Sequence, residues 1–120
     1  GELKKIFFSF ETLTDPARFA DIKTTTNEIE QKHLQAGSRR INLDPGFLTL
    51  AKVLLATTKD NVHRIYLRDG IFAEVTLFFR KKTFTPFEWT YPDYRTEGYI
   101  EYFNNLREIY RAKLAANGQM

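Results

Sequence analysis

Residues 62–80 read VHRIYLRDGIFAEVTLFFR. Two runs of alternating apolar and polar residues flank the triplet RDG, which suits a hairpin loop with glycine in the left-handed conformation. A three-residue loop predicts that Arg64 faces Glu74 and that Leu67 faces Ile71. Opposite charges that face each other across a hairpin favour this register over a slip of one residue. The segment therefore predicts two antiparallel strands.

This hairpin lies inside a longer stretch, residues 39–94, in which turn sequences alone interrupt the apolar alternation. Residues 49–58 have an ambiguous period, and we predict a strand there because the hairpin follows them. Counting back through the turn at residues 59–61 sets Val53 beside Leu67 and predicts a three-strand meander. Its core face is expected to carry Val53, Leu55, Ile65, Leu67, Ile71, Ala73, Val75, Leu77 and Phe79.

Helical signals stand on both sides of this stretch. Thr14 or Asp15 can cap a first helix that begins near Pro16 and continues towards residue 34, either whole or as two short helices. Thr96 can cap a second helix, in which aromatic and aliphatic residues repeat at helical spacing as far as Leu114. Two main helices are therefore expected.

Short segments complete the prediction. Residues 3–10, 39–43 and 84–89 read as strands, and Asp44-Pro45-Gly46 reads as a turn with glycine at positive φ. The fold class is α+β, with an antiparallel sheet of about five strands in a single domain over residues 1–120. If a strand and helix precede this chain, the whole would approach a ferredoxin-like arrangement with an added meander.

Composition limits the function classes. The chain has 120 residues, of which 42% are hydrophobic and 28% charged, as in soluble globular domains. The absence of cysteine excludes disulfides and thiolate zinc sites, and two histidines make a metal site built from histidine alone unexpected. No apolar run is long enough to cross a bilayer, and no signal peptide is visible. We therefore expect a cytoplasmic protein without a membrane partner; the sequence leaves any cofactor unknown.

The mixed face of the meander is the first candidate site. Its polar centre and aromatic rim comprise Lys52, Thr58, Arg64, Tyr66, Glu74 and Thr76. Two cations against one carboxylate favour a small anionic ligand. The competing interpretation is a structural Arg64–Glu74 pair under a helix.

A second cluster joins Lys59, Asp60 and His63 at the predicted turn. His63 could act as a general base that Asp60 orients, while Lys59 contacts substrate. The same residues also fit an ordinary turn followed by a histidine bonded to a neighbouring hydroxyl. Whether the chain is an enzyme stays open.

An RNA- or protein-binding module is the alternative. Its candidate residues are Arg39, Arg40, Arg80, Lys81, Lys82 and Trp89. Basic turns beside exposed aromatic rings are typical of nucleic-acid interfaces, although the net charge is only +3. An exposed sheet edge would also permit a homodimer.

Several motifs occur together in an order that resembles a known family. They are RINLDPGFLTL from Arg40, ATTKD from Ala56, HRIYL from His63, DGIFAEVTL from Asp69 and WTYPDY from Trp89. The chain is similar, over about residues 3–114, to the prokaryotic family catalogued as domain of unknown function 4416. The resemblance implies that members carry a further strand and helix upstream. It implies no particular reaction, cofactor or catalytic residue.

Overall fold

The computed structural model describes residues 7–10, 13–35, 38–39 and 43–118. Its elements are a 3₁₀ helix at Pro16–Arg18, α1 (Phe19–Lys32), β1 (Leu34–Gln35), β2 (Ser38–Arg39), β3 (Gly46–Leu48), β4 (Lys52–Thr57), β5 (Arg64–Arg68), β6 (Ile71–Arg80), β7 (Thr83–Pro86), a 3₁₀ helix at Pro92–Arg95 and α2 (Glu97–Ala116). Strands β1 and β2 form a separate two-stranded ladder. The other five strands form one antiparallel sheet, which confirms the α+β class with two main helices.

The sheet is organised around β6, a strand of 10 residues. The strand order is β3-β4-β6-β5, and β7 also pairs with β6. Strand β4 occupies one edge of β6, so β5 and β7 share the other edge. On that edge β5 pairs with the first half of β6, and β7 pairs with the second half. The longest and most apolar strand is therefore central, and β5 lies at the end of the strand order.

The predicted meander order is wrong. Strand β4 pairs with β6, where Val53 faces Leu77, and the predicted pairing of Val53 with Leu67 does not form. Residues 58–63 instead carry the chain past β6 to its far edge. Neighbours in sequence are adjacent in a sheet only about two-thirds of the time, and here the long apolar β6 offers a better partner than the short β5.

The hairpin register is confirmed over most of its length. Arg64 faces Glu74, as predicted, but Arg68 rather than Leu67 faces Ile71. Asp69 and Gly70 both have positive φ, 53° and 77°, which makes a two-residue turn. Such a turn matches the twist of the strands, and Leu67 becomes the extra residue of a bulge.

Alternate residues of β4 enter two different cores. Leu54 and Ala56 belong with Phe19 of α1, whereas Val53 and Leu55 belong with Phe103 of α2. Since successive side chains of a strand point to opposite faces, the two helices cover opposite faces of the sheet. The predicted division into one core face and one mixed face is therefore wrong, because both faces are packed.

The helix starts follow the predicted capping chemistry. Asp15 accepts a hydrogen bond from the Ala17 amide at 3.0 Å, and Pro16 opens the 3₁₀ turn that leads into α1. Helix α1 is a single helix, despite its β-branched centre. Thr96 caps α2 by accepting from the Tyr99 amide at 3.4 Å.

Three local predictions fail. Residues 7–10 lie outside any strand, whereas the rest of the predicted strand 3–10 lies outside the described residues. Gly46 is the first residue of β3 rather than a turn glycine, and a Cβ there would lie 3.2 Å from the Leu54 carbonyl oxygen. The last short strand is β7, which ends at Pro86 and leaves Trp89 in a loop.

Candidate functional site

A gap in one edge of β6 creates the candidate site. Strand β5 reaches Glu74, β7 reaches Leu77, and neither covers Val75 and Thr76 between them. On the other edge the β4 register shifts at the same place, so that Thr76 is the extra residue of a bulge. Bulges are frequent beside functional sites because they redirect side chains and interrupt pairing.

Side chains from the loop after β7 fill this gap. The Trp89 indole Nε1 donates to the Val75 carbonyl at 3.0 Å. The Thr90 hydroxyl donates to the Thr76 carbonyl at 2.7 Å. These two side chains satisfy the backbone oxygens that a strand would otherwise satisfy. The loop is thereby fixed against the bulge.

Glu74 is the centre of the polar cluster. It is 2% exposed, and its Oε1 accepts from His63 Nε2 at 2.8 Å and from Arg64 Nε at 3.2 Å. Its Oε2 accepts from the Thr76 hydroxyl at 3.0 Å. A buried carboxylate with both oxygens bonded and a cation in contact is compensated in charge and in hydrogen bonding.

Arg64 is almost as buried as its partner, with 7% of its side chain exposed. Besides the bond to Glu74, one terminal nitrogen donates to the Lys59 carbonyl at 3.1 Å, and the other to the Tyr91 hydroxyl at 3.4 Å. The guanidinium therefore joins the loop before β5 to the loop after β7. Three of its five donors are therefore engaged within the protein, and Glu74 compensates its charge.

A stack of rings borders the cluster. The His63 imidazole lies on the Trp89 indole with centroids 5.2 Å apart and planes inclined by 20°. Phe87 also stacks on the indole, with centroids 4.4 Å apart and planes inclined by 9°. Because two rings already stack on Trp89, less of its surface is free to stack on a nucleic-acid base.

Tyr94 lies close to this cluster in the α2-side core. Burial raises the pKa of Tyr94 well above its ordinary value, and the negative charges of Asp44, Asp93 and Glu74, together with Tyr99, raise it further. Burial also raises the pKa of Tyr99. Tyr94 is therefore a neutral hydroxyl at physiological pH and beyond.

Four predicted site residues meet at the bulge: His63, Arg64, Glu74 and Thr76. The hydrogen bond that orients His63 comes from Glu74, whereas the sequence suggested Asp60. Thr58, Lys59 and Asp60 are exposed in the connecting segment, and Lys59 contributes its carbonyl oxygen.

Lys52 and Tyr66 lie elsewhere. Lys52 precedes Val53 in β4 and so lies on the α1 face, opposite to Glu74. The predicted positive surplus at Arg64 and Glu74 is therefore absent. The Tyr66 hydroxyl accepts from the Gly70 amide at 3.1 Å within the hairpin turn.

The basic residues of the nucleic-acid alternative are only partly described. Arg80, Lys81 and Lys82 are exposed at the turn between β6 and β7. The backbone of Arg39 pairs in β2, but its side chain and all of Arg40 lie outside the described residues.

A pocket of about 550 Å³ opens between the first turn of α1 and the sheet. Its apolar walls include Phe19, Phe47, Leu54 and Ala73, and Lys52 and Arg68 add two cationic groups. Tyr66 also lines it. Sequence reasoning missed this pocket because it assigned Arg68 to the hairpin loop and placed Lys52 on the other face.

The described part of the chain offers neither a metal site nor a membrane-spanning helix. No three of its histidine, aspartate and glutamate side chains converge as a metal site would require. Neither of its α-helices has the length and apolar character needed to cross a membrane.

Comparison with known proteins supplies the family. No curated protein and no solved structure matches the chain. The sequence model of one family, described as "Domain of unknown function (DUF4416)", matches residues 1–110. This match covers most of the 120 residues, and the motifs around the hairpin and the Trp89 loop fall within it. The chain therefore belongs to the family of domain of unknown function 4416.

Proposed function

We propose that this chain is a small-molecule-binding domain whose ligand is an organic anion with an apolar body. The ligand would occupy the pocket between α1 and the sheet. Pockets for small ligands commonly measure about 300–1,000 Å³ and combine apolar walls with a few polar groups. The present pocket, at about 550 Å³, has this size and this lining.

Lys52 carries the proposal. It is half-buried on the pocket wall, and its ammonium has no hydrogen-bond or ion-pair partner among the residues that the structure describes. A cation beside apolar walls favours a ligand whose carboxylate or phosphate compensates the charge while its carbon skeleton contacts the walls.

Arg68 supports Lys52 at the same pocket. Its guanidinium is paired with Asp21 on α1 and lies 3.9 Å from Asp69. About half of its side chain is exposed. Since guanidinium has five donors, this residue can contact a ligand anion while it keeps a carboxylate partner.

The direct test is a binding screen with aromatic and medium-chain carboxylic acids, each paired with its uncharged amide. Thermal shift finds candidates, and calorimetry measures their dissociation constants. The acid should bind at least about tenfold more tightly than its amide, a difference of about 1.4 kcal/mol. Lys52→Met should remove this preference, whereas Lys32→Met, at an exposed lysine outside the pocket, should keep it. Equal binding of acids by the Lys52→Met protein contradicts the proposal.

The exposed basic turn at Arg80, Lys81 and Lys82 supports a second candidate, an RNA-binding module. Electrostatic binding to phosphates predicts affinity that falls steeply with salt concentration. Neutralising Lys81 and Lys82 together should then reduce the salt dependence. Undetectable binding of single-stranded RNA at low salt would remove this candidate and leave the pocket proposal untouched.

A further inference from the structure

The imidazole of His63 is not needed to balance the charge of Glu74 or to satisfy its hydrogen bonds. Arg64 already balances the carboxylate charge from 3.2 Å, and Thr76 binds the second oxygen. A carboxylate with these partners is satisfied without a histidine. The position of His63 therefore calls for an explanation beyond the ion pair.

The hydrogen bond to Glu74 determines which nitrogen of His63 is free. A carboxylate only accepts hydrogen bonds, so Nε2, at 2.8 Å, is the donor. In a neutral imidazole the other nitrogen, Nδ1, then carries a lone pair. No described residue donates to this lone pair, and 14% of the His63 side chain is exposed, against 3% for Glu74.

The ring is also held in a fixed orientation. It lies on Trp89, and the indole N–H of Trp89 is bonded to the Val75 carbonyl at 3.0 Å. The imidazole is thus restrained by one hydrogen bond and one ring face. A base that is oriented before substrate arrives loses little freedom in the reaction, which favours general-base catalysis.

We propose that His63 is the general base of a separate catalytic site that hydrolyses small, uncharged acyl esters. An uncharged substrate fits because the Arg64 side chain is only 7% exposed and directs three of its five donors to Glu74, Lys59 and Tyr91, so that little of its charge faces solvent. Glu74 acts as a positioning residue that fixes the tautomer and stabilises the imidazolium.

The reaction is balanced with water as the only co-reactant. Nδ1 of His63 takes a proton from water while the water oxygen forms a bond to the acyl carbon. The tetrahedral adduct then expels the alkoxide, which receives the proton from the imidazolium. The products are a carboxylic acid and an alcohol, and His63 returns to its starting state.

The experiment uses p-nitrophenyl acetate as the probe and the full chain as the protein. His63→Gln should lower the rate by about 100-fold, the lower end of general-base contributions. His33→Gln provides the matched control, because His33 is the other histidine and is exposed at the end of α1. An equal rate in the folded His63→Gln protein would overturn the proposal.

A second measurement covers the case in which His63→Gln does not fold. Nitrogen-15 NMR of the wild-type protein reports which ring nitrogen of each histidine carries the proton. The proposal requires a proton on Nε2 and an unprotonated Nδ1 in His63. A proton on Nδ1 of the neutral ring would overturn it. Glu74→Gln should lower the esterase rate and also change its pH profile. A purely structural glutamate would leave the pH profile unchanged.

Discussion

Arg64 and Glu74 face each other across β5 and β6, with Nε 3.2 Å from Oε1, and both side chains are almost wholly buried. Each charge has lost most of its hydration and depends on the other. The carboxylate also accepts hydrogen bonds from His63 and Thr76. The guanidinium donates to the loop before β5 and to the loop after β7. This pair therefore determines how the bulge and its surroundings are arranged.

Replacing only one member of this pair should be costly. Glu74→Leu leaves Arg64 and His63 without their acceptor, and we expect the free energy of unfolding in urea to fall by about 3–5 kcal/mol. Arg64→Met combined with Glu74→Leu should recover part of this loss, because both buried charges are removed together. A double variant as unstable as the sum of the single variants would contradict this account.

Glu108→Gln is the control for this prediction. Glu108 is exposed and contacts Arg107 and Arg111 at 3.4 Å and 3.7 Å. Exposed ion pairs contribute roughly 0–1 kcal/mol. The change in the free energy of unfolding should therefore stay within about 1 kcal/mol.

Local rules predicted the parts of the fold that neighbouring residues determine. The two caps, the hairpin, and the pairing of Arg64 with Glu74 depend on short-range sequence and were confirmed. The position of β4 beside β6 depends on competition between whole strands for the same edge. No periodicity within residues 49–58 reveals that competition, so the order of the strands could not be read from the sequence.

The same limit applies to the candidate site. The hairpin register was sufficient to bring Arg64 and Glu74 together. Placing Lys52 required the strand order, and placing Trp89 required the gap between β5 and β7 along β6, which the loop fills. A bulge changes the face of every later residue, and sequence alternation gives no signal for it when both faces are apolar.

Alkaline pH should destabilise the protein through Tyr94. Burial raises its pKa above the ordinary tyrosine value of 10.0, so the unfolded chain releases this proton before the folded chain does. The stabilising effect is complete below pH 10 and is lost progressively as the pH rises towards the folded-state pKa. The free energy of unfolding should fall by at most about 1.4 kcal/mol per pH unit from this group.

Tyr94→Phe tests this directly. Phenylalanine has no proton to release, so the variant should lose less stability between pH 9 and pH 11 than the wild type. The difference in the free energy of unfolding between the two proteins at pH 7 gives the cost of the lost hydroxyl, which is subtracted at every other pH. Parallel curves for the two proteins over the alkaline range would show that Tyr94 is not responsible.

Gly46 should not tolerate a side chain. A Cβ at this position would lie 3.2 Å from the Leu54 carbonyl oxygen and 3.3 Å from a Leu55 methyl carbon. The backbone oxygen cannot move without disturbing the β3–β4 ladder, so Gly46→Ala should cost about 1–3 kcal/mol in chemical denaturation. Gly98→Ala is the matched control in α2, where a Cβ meets nothing within 4 Å. It should leave stability unchanged or raise it by up to about 1 kcal/mol.

The ion pair between Arg68 and Asp21 should regulate access to the proposed anion site. It joins the β5–β6 hairpin to α1 beside the pocket that Arg68 lines. Asp21 competes with a ligand carboxylate for the same guanidinium. Asp21→Asn should therefore tighten the binding of an acid identified in the screen by about two- to tenfold, while the affinity for the matching amide stays constant.

Asp69→Asn separates this competition from a general change in charge. Asp69 lies farther from Arg68, at 3.9 Å. Its replacement by asparagine removes the same unit of negative charge. If competition operates, Asp21→Asn should strengthen acid binding more than Asp69→Asn does, and Arg68→Gln should abolish the difference between them. Weaker binding after Asp21→Asn would instead show that Asp21 holds Arg68 in position for the ligand. Because both half-exposed partners contribute little to folding, thermal unfolding without ligand should change little in either aspartate variant.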